Sequence, residues 1–344
     1  MAPSVDKVYA TNEQTVEHLH AAAGHFVGVT EGLDKATSVG EVCKGNNPFK
    51  CITNVVEGFV DLPQNRNVRF RLWLPENGAA PKATVILLHG YGEHTGRYHH
   101  VAHALAGASY QVFGYDQKFH GEDEHAVGAS ITKINSFDEF IDDAESFIKI
   151  VGEKYSDIPY FLMGHSMGGC VALLTTLRMQ DTWKCRGVVL SSPAIRVKGN
   201  ILAPNPYMGF FSRLTKTLSS VAPSFPSPGV DAKKLSKDKN VVKHARDDPL
   251  MFGDKISARF ARHFVIGGTV DAQKRTVEMK SPFLVVTGTK DKIVNYKAAR
   301  KLVDEASSED KEYKEWEGGY HEQFNEDHRD EVIDYVKEWM DNRL

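Results

Sequence analysis

The sequence predicts a doubly wound α/β fold with a mostly parallel sheet and a cap inserted between two of its strands. Short apolar runs bounded by turns alternate with amphipathic helical segments along most of the chain. A Gly-x-Ser-x-Gly motif lies at a strand-to-helix junction. The segment 196–275 interrupts the alternation and is too long for a simple crossover.

The predicted strands are of two kinds. Val55–Val60 and Val68–Trp73 are joined by a turn at 63–67, and the second alternates apolar and basic residues, which predicts a strand with one face in water. The later runs are largely apolar, as in strands buried on both faces of a parallel sheet. They are 83–88, 111–115, 160–163, 188–190 and 283–286, with 313–316 also strand-like.

Helical segments lie between these runs. The clearest begins at Ser136, with Glu139 as its capping-box partner. Its apolar residues form one stripe at helical spacing: Phe137, Phe140, Ile141, Ala144, Phe147, Ile148 and Val151. A second amphipathic helix is predicted around Val332–Met340.

These patterns divide the chain into three parts. Residues 1–53 are predicted to be an N-terminal arm without chemistry of its own. Residues 54–195 and 276–344 form the α/β core, and 196–275 form the cap. Between Arg196 and Lys243 the cap carries nine Lys and Arg against two Asp, a net charge of +7.

The overall composition excludes several classes of protein. With 42 basic and 45 acidic residues the net charge is −3, which argues against a nucleic-acid binder. No apolar run approaches the ~18 residues of a transmembrane helix, and the N-terminus has no signal-peptide pattern. The four cysteines form no CxxC pair. We therefore expect a cytoplasmic enzyme with reduced cysteines.

The residues 164–169 (GHSMGG) carry the main chemical signal. They follow the apolar run 160–163 and precede an apolar helical stretch, the context of a nucleophile elbow. Such an elbow holds a serine hydroxyl clear of the sheet, and Gly164 and Gly168 supply the room that the tight turn needs. We therefore predict Ser166 as the nucleophile.

A serine nucleophile needs a base and an acid that orients the base. In folds with this elbow the acid and then the histidine follow the serine along the chain. Asp291 follows the strand 283–286, and the histidines after it are His321, in a Gly-rich loop, and His328, in an acidic stretch before the last helix. We predict Asp291 as the acid, His321 as the base, and His328 as a solvated residue at a helix start.

An oxyanion hole is predicted from two backbone N–H groups. One belongs to Met167, directly after the nucleophile, and the other to Tyr91 in the loop after strand 83–88. The segment Asp116–Gly121 is predicted to support the site. The fifteen histidines include no HExxH or Cys/His pattern, so no metal site and no cofactor are expected.

The motifs resemble the monoglyceride lipase and lysophospholipase-like branch of the α/β-hydrolase superfamily, which is related to the serine aminopeptidases. The matching pieces are 89–98 (HGYGEHTGRY), 164–169 (GHSMGG), 247–250 (DDPL), 287–291 (TGTKD) and 317–321 (EGGYH). The resemblance implies an α/β-hydrolase fold, and it implies the same triad, Ser166, Asp291 and His321, with Tyr91 and Met167 as oxyanion donors. The sequence departs from the pattern of this family at two places. Phe119 stands where the family often has glycine, and the N-terminal arm has no counterpart.

The resulting hypothesis is a serine ester hydrolase that releases a fatty acid from monoacylglycerol through an acyl-enzyme on Ser166. The alternatives are a lysophospholipase or general carboxylesterase, an aminopeptidase, and a non-catalytic ligand binder of the same fold. We expect apolar cap residues to line the acyl site, and the basic cap to contact anionic membranes or lipid droplets peripherally. The predicted acyl-site residues are Leu202, Met208, Phe210, Phe211 and Leu214.

Overall fold

A mixed β-sheet forms the centre of the structure. The structure is a computed structural model, and it describes residues 38–39, 55–64, 66–122, 133–183, 185–198, 222–253 and 255–344. Its strands, with those of a small second sheet, are β1 (Ser38–Val39), β2 (Val55–Leu62), β3 (Arg66–Trp73), β4 (Ala83–Leu88), β5 (Tyr110–Tyr115), β6 (Tyr160–His165), β7 (Cys185–Ser191), β8 (Pro226–Pro228), β9 (Lys255–Ser257), β10 (Phe283–Gly288) and β11 (Lys311–Trp316).

Within these ranges the main sheet has the order β1-β2-β3-β5-β4-β6-β7-β10-β11. The pairs from β1 to β5 are antiparallel, and every pair from β5 to β11 is parallel. Because parallel strands end at the same edge, the loops after β4, β6, β10 and β11 come together there.

Helices cover both faces of the sheet. They are α1 (His99–Gly107), α2 (Asp138–Lys154), α3 (Met167–Met179), α4 (Lys239–Asp247), α5 (Ala258–His263), α6 (Asp271–Lys274), α7 (Tyr296–Glu305) and α8 (Arg329–Asp341). Successive residues of β4 alternate between two cores, with Ile86 facing the one that contains α2, α3 and α7, and Val85 facing the one that contains α1 and α8. The predicted doubly wound arrangement is confirmed.

The predicted strands are confirmed, although several are longer than the apolar runs that predicted them. Strand β6 continues through Gly164 and His165 because those residues still pair with Leu190 and Ser191 of β7. The helix predicted at Ser136 begins at Asp138, two residues later. The capping contacts nevertheless form: Glu139 accepts the Ser136 N–H, and the Ser136 hydroxyl accepts the Asp138 N–H.

The prediction that the basic face of β3 is wet is wrong. Arg71 is buried and the Arg69 side chain is only 15% exposed, and both pair with carboxylates that the alternation of residue types does not reveal. Arg69 pairs with Glu57 at 2.8 Å. Arg71 pairs with Glu57 at 2.8 Å and with the fully buried Asp116 at 3.1 Å.

Between β7 and β10 the described residues form no strand of the main sheet. They comprise the small antiparallel sheet β8–β9, the helices α4 to α6, and a π-helical turn at Phe264–Val270. The cap boundaries at 196 and 275 therefore remain a prediction, as does the role of the arm, most of which lies outside the described residues. None of the described helices combines the length and apolar character needed to cross a bilayer.

We expect Arg71→Met to lower the free energy of unfolding by about 3–5 kcal/mol, because it leaves the Asp116 carboxylate buried without its cation. Urea denaturation measures the loss. The matched control is Arg186→Met at the exposed start of β7, which should stay within about 0.5 kcal/mol of the wild type. An Arg71→Met protein as stable as this control would contradict the prediction.

Candidate active site

Ser166 lies in the turn between β6 and α3 with a backbone φ of 50°, a conformation that non-glycine residues seldom adopt. The turn is tight because a Cβ on Gly168 would overlap the carbonyl oxygens of Leu88 and His89, and one on Gly164 would overlap Gly168. The Ser166 N–H donates to the Ser191 carbonyl at 2.9 Å. The backbone is thus held in a strained form, and Ser166 is partly exposed.

The structure brings the three predicted triad side chains into one hydrogen-bonded chain. His321 Nε2 lies 2.8 Å from Ser166 Oγ, and His321 Nδ1 lies 2.7 Å from Asp291 Oδ2. Since the aspartate accepts at Nδ1, the imidazole carries its proton there and Nε2 is free to accept the serine proton. His321 and Asp291 are buried at the strand-end edge of the sheet, after β11 and β10.

The second oxygen of Asp291 fixes the orientation of this carboxylate. Oδ1 accepts the backbone N–H groups of Ile293 at 2.7 Å and of Val294 at 2.9 Å. Burial by itself would raise the pKa of Asp291, but the His321 imidazolium and these hydrogen bonds lower it below the ordinary value. The carboxylate therefore stays ionised beside the histidine.

The two neighbouring histidines of the site have pKa values shifted in opposite directions. Burial would lower the pKa of His321, but Asp291 and then the carboxylates of Glu322 and Glu93 raise it above the ordinary value. His165, whose ring lies 4.8 Å from that of His321, has its pKa lowered to about 4 by burial and by repulsion from His321. His165 is thus neutral whenever His321 takes up a proton.

The two predicted oxyanion donors belong to segments that adjoin Ser166. Met167 is the first residue of α3, so its N–H lies at the positive end of a helix. Tyr91 follows Gly90, where an added Cβ would lie 3.4 Å from the Ser166 Cβ. His89 holds this loop by donating from Nδ1 to the Gly90 carbonyl at 2.8 Å and accepting the Gln117 N–H at 2.9 Å. The roles of Tyr91 and Met167 stay predictions.

A buried ion cluster of Glu93, Arg97 and Glu322 links the loop after β4 to the loop after β11. Arg97 donates two hydrogen bonds to Glu322, at 2.6 and 2.7 Å, and one to Glu93 at 2.5 Å. Glu93 in turn accepts the Gly90 N–H and the Tyr98 hydroxyl. Sequence reasoning missed this cluster. The available signals were the i,i+4 spacing of Glu93 and Arg97 and a glutamate directly after His321.

Two carboxylates share one guanidinium, so the cluster carries a net negative charge close to His321. Burial would raise the pKa of Glu93, but Arg97 lowers it to about 2, and Arg97 likewise lowers that of Glu322. Both glutamates are therefore ionised at neutral pH.

The segment Asp116–Gly121 lies beneath the loop after β4. Asp116 accepts the Thr95 N–H at 2.9 Å and the Glu122 N–H at 2.9 Å, and Gln117 contacts His89. Phe119, which stands where the resembled family often has glycine, is buried with a φ of 66°. Its ring packs in the core, and this packing offsets the unfavourable backbone conformation.

His328 lies at the helix start that the sequence predicted and is partly exposed, but it also has partners that the sequence did not suggest. Its ring stacks on Trp316 with a centroid distance of 5.9 Å, and Nε2 lies 3.1 Å from Gln323 Oε1. The acidic sequence around it concealed this aromatic contact. His328 immediately precedes α8 and takes no part in the hydrogen-bonded chain of Ser166, Asp291 and His321.

The predicted acyl-site residues Leu202, Met208, Phe210, Phe211 and Leu214 lie outside the described residues. Within the described ranges, no three His, Cys, Asp or Glu side chains converge as a metal-binding group. The expectation of a site without metal or cofactor remains a prediction.

Comparisons with known proteins agree on one family. A family model described as serine aminopeptidase, S33, matches residues 79–328. The chain is 32% identical over 275 residues to a monoacylglycerol lipase of Mycolicibacterium smegmatis, covering 80% of this chain and 93% of that protein. It is 30% identical over 267 residues to phospholipase YtpA of Bacillus subtilis, with coverages of 77% and 97%. The crystal structure of Paleococcus ferrophilus monoacylglycerol lipase matches with a TM-score of 0.65 and 30% identity, over 80% of this chain and 99% of that chain.

We expect Glu322→Gln to lower the pKa of His321, because it removes one of the negative charges that stabilise the imidazolium. NMR titration of the His321 ring protons measures the shift. Glu317→Gln, at an exposed position of the same loop, is the control with the same change of charge. A pKa that rises, or that moves equally in both variants, would contradict the assignment.

Proposed function

This chain belongs to the serine aminopeptidase S33 family, in its monoacylglycerol lipase-like branch, and is a carboxylic ester hydrolase of the α/β-hydrolase fold; we propose that it releases a fatty acid from monoacylglycerol through an acyl-enzyme on Ser166. The observation that carries the proposal is the continuous hydrogen-bonded chain from Ser166 through His321 to Asp291. A non-catalytic ligand binder does not need these three side chains to be aligned, so their alignment favours an enzyme.

In the first half of the proposed reaction, Ser166 Oγ attacks the ester carbonyl carbon while its proton passes to His321 Nε2. Asp291 stabilises the imidazolium that forms. The carbonyl oxygen becomes an oxyanion and accepts hydrogen bonds from the Tyr91 and Met167 N–H groups. Each such donor contributes about 3–4 kcal/mol to transition-state stability.

Collapse of the tetrahedral intermediate breaks the ester C–O bond. The imidazolium gives its proton to the glycerol oxygen, which leaves as a neutral alcohol. In the second half, His321 Nε2 takes a proton from a water molecule that attacks the acyl-enzyme, and then returns it to Ser166 Oγ. Fatty acid and free enzyme result, and no redox partner is required.

A lipid ester is favoured over a peptide by the relatives. The Mycolicibacterium smegmatis and Paleococcus ferrophilus proteins are named as monoacylglycerol lipases, and the relative named as a phospholipase keeps lysophospholipids as the second candidate substrate. The charge of the cap agrees, since an aminopeptidase needs acidic groups to hold the substrate amine, whereas the first part of this cap has a net charge of +7 between Arg196 and Lys243.

We further propose that the cap contacts anionic membrane or lipid-droplet surfaces from the cytoplasm. Lys233, Lys234, Lys237 and Lys239 are exposed on one short stretch of it. The cap also carries two exposed large apolar side chains, Phe225 and Ile266, about half of whose surface is accessible. Basic and apolar side chains together are typical of peripheral lipid contact.

Ser166→Ala should abolish fatty-acid release from 1-monoacylglycerol, lowering kcat by about 10⁴-fold or more because the nucleophile is lost. Titration of released fatty acid, with lysophosphatidylcholine assayed in parallel, measures it. Faster Ser166-dependent cleavage of the lysophospholipid would replace the proposed substrate with the second candidate. Cleavage of neither lipid would overturn the lipid assignment.

Replacing Lys233, Lys234, Lys237 and Lys239 together by Gln should weaken binding to anionic vesicles by about 1 kcal/mol per lysine. Co-sedimentation with phosphatidylserine-containing vesicles at two salt concentrations provides the measurement. The control variant replaces the exposed Lys149, Lys280, Lys297 and Lys301, which lie outside the proposed contact, and has the same net charge. Equal loss in both variants, or binding that does not respond to salt, would refute a specific contact through the cap.

A further inference from the structure

The loop that carries His321 is bonded directly to the cap. We call residues 317–326, between β11 and α8, the base loop. The backbone carbonyl of Leu235, a cap residue, accepts the N–H of His321 at 3.0 Å and the N–H of Glu322 at 2.9 Å. A single cap carbonyl therefore holds two consecutive residues of the base loop.

The next two cap residues add further bonds. Ser236 Oγ donates to the Asn325 carbonyl at 3.2 Å. The carboxylate of Glu326 joins the two segments, because its Oε1 accepts the Lys237 N–H of the cap at 3.1 Å and the Tyr320 N–H of the base loop at 3.2 Å. Glu326 and Ser236 are buried.

The cap segment is itself held at both ends. Asp231 accepts the Lys233 N–H at 3.0 Å and so caps the short helix before the segment. Asp238 accepts the Asn240 N–H at 2.8 Å and caps α4 after it. The Leu235 side chain packs in the main core. The segment Leu235–Lys237 is therefore anchored at both ends.

The backbone N–H groups of residues 320–322 donate to acceptors outside the strands of the core sheet. Tyr320 donates to Glu326, and His321 and Glu322 donate to Leu235. Bonds to the core hold the preceding residues of the base loop: the Lys290 N–H donates to the Gly319 carbonyl at 2.9 Å, and the Gly318 N–H donates to Thr289 Oγ1 at 2.8 Å. The Leu235 carbonyl of the cap is thus the acceptor for the His321 backbone N–H, while the His321 side chain bonds to Asp291 and Ser166 of the core.

We propose that the cap segment Leu235–Lys237 positions the base His321, with Glu326 as the positioning residue that joins cap and base loop. This inference rests on the proposed role of His321 as the base. The 2.8 Å approach of His321 Nε2 to Ser166 Oγ depends on where the base loop lies, and an error of about 1 Å in such a geometry costs on the order of 10²-fold in rate. Glu326 touches no reacting atom and acts through the backbone of the loop.

The test compares two substitutions of Glu326. Glu326→Leu keeps the bulk but removes the oxygen that accepts two N–H groups, whereas Glu326→Gln keeps an oxygen there. Burial raises the pKa of the Glu326 carboxyl, so a neutral amide of the same shape suits the site. The control is Asp327→Leu, the same kind of substitution at the exposed neighbouring position.

Two readouts separate positioning from mere structure. The first is kcat and KM on a soluble short-chain p-nitrophenyl ester. The second is the rate at which a small fluorophosphonate labels Ser166, which needs an aligned base but no lipid pocket. We expect Glu326→Leu to lower kcat and the labelling rate by about tenfold or more with KM within about twofold, and Glu326→Gln to recover most of both.

The proposal is overturned if folded Glu326→Leu protein keeps wild-type kcat, if only KM changes, or if Glu326→Gln is as slow as Glu326→Leu. Should Glu326→Leu fail to fold, Ser236→Ala replaces it and should lower kcat with KM unchanged; an unchanged kcat there overturns the proposal equally. Ser166→Ala is assayed alongside, and ester cleavage that survives this substitution refutes the proposed function independently of the Glu326 comparison.

Discussion

The close approach of two backbones at the elbow is the constraint on which the rest of the site depends. Gly168 lies against the carbonyl oxygens of Leu88 and His89, so the helix after Ser166 touches the end of β4 with no side chain between them. This contact forces Ser166 into its positive φ and places Gly90 beside it. Any Cβ at position 168 would separate the serine from the loop predicted to supply an oxyanion donor.

Buried charge holds the loops around that contact. Asp116, paired with Arg71, accepts backbone N–H groups beneath the loop after β4, and Glu93 accepts the Gly90 N–H within it. Buried ion pairs contribute little net stability, because desolvation offsets most of their attraction. Their effect here is on geometry and on charge. Because the cluster around Arg97 has one more negative than positive group, it favours the protonated form of His321 that the proposed reaction needs.

The sequence predicted those parts of the site that local backbone chemistry specifies. Motifs of five or six residues, rich in glycine or placed at strand ends, identify Ser166, Asp291 and His321. The partners of Arg71 and the third member of the Glu93–Arg97–Glu322 cluster are distant in sequence, and only the fold brings them together. The stacking of His328 on Trp316 was not predicted for the same reason, since the acidic residues beside His328 gave no sign of it. Hydrogen bonds to backbone acceptors such as the Leu235 carbonyl cannot be predicted from residue types, because every residue has a backbone carbonyl.

The bonds between cap and base loop change how an inserted cap should be regarded. A cap is usually considered a substrate cover whose movement controls access. Here the carbonyl of Leu235 and the carboxylate of Glu326 bond a cap segment to the residues on both sides of the His321 side chain. If substrate binding stabilises the cap in this arrangement, it also favours the aligned position of His321. Thermodynamic linkage then requires that alignment of His321 strengthens substrate binding by the same factor. Substrate binding and the alignment of His321 would then be two aspects of one equilibrium, and displacement of the cap would separate Ser166 from its proposed base.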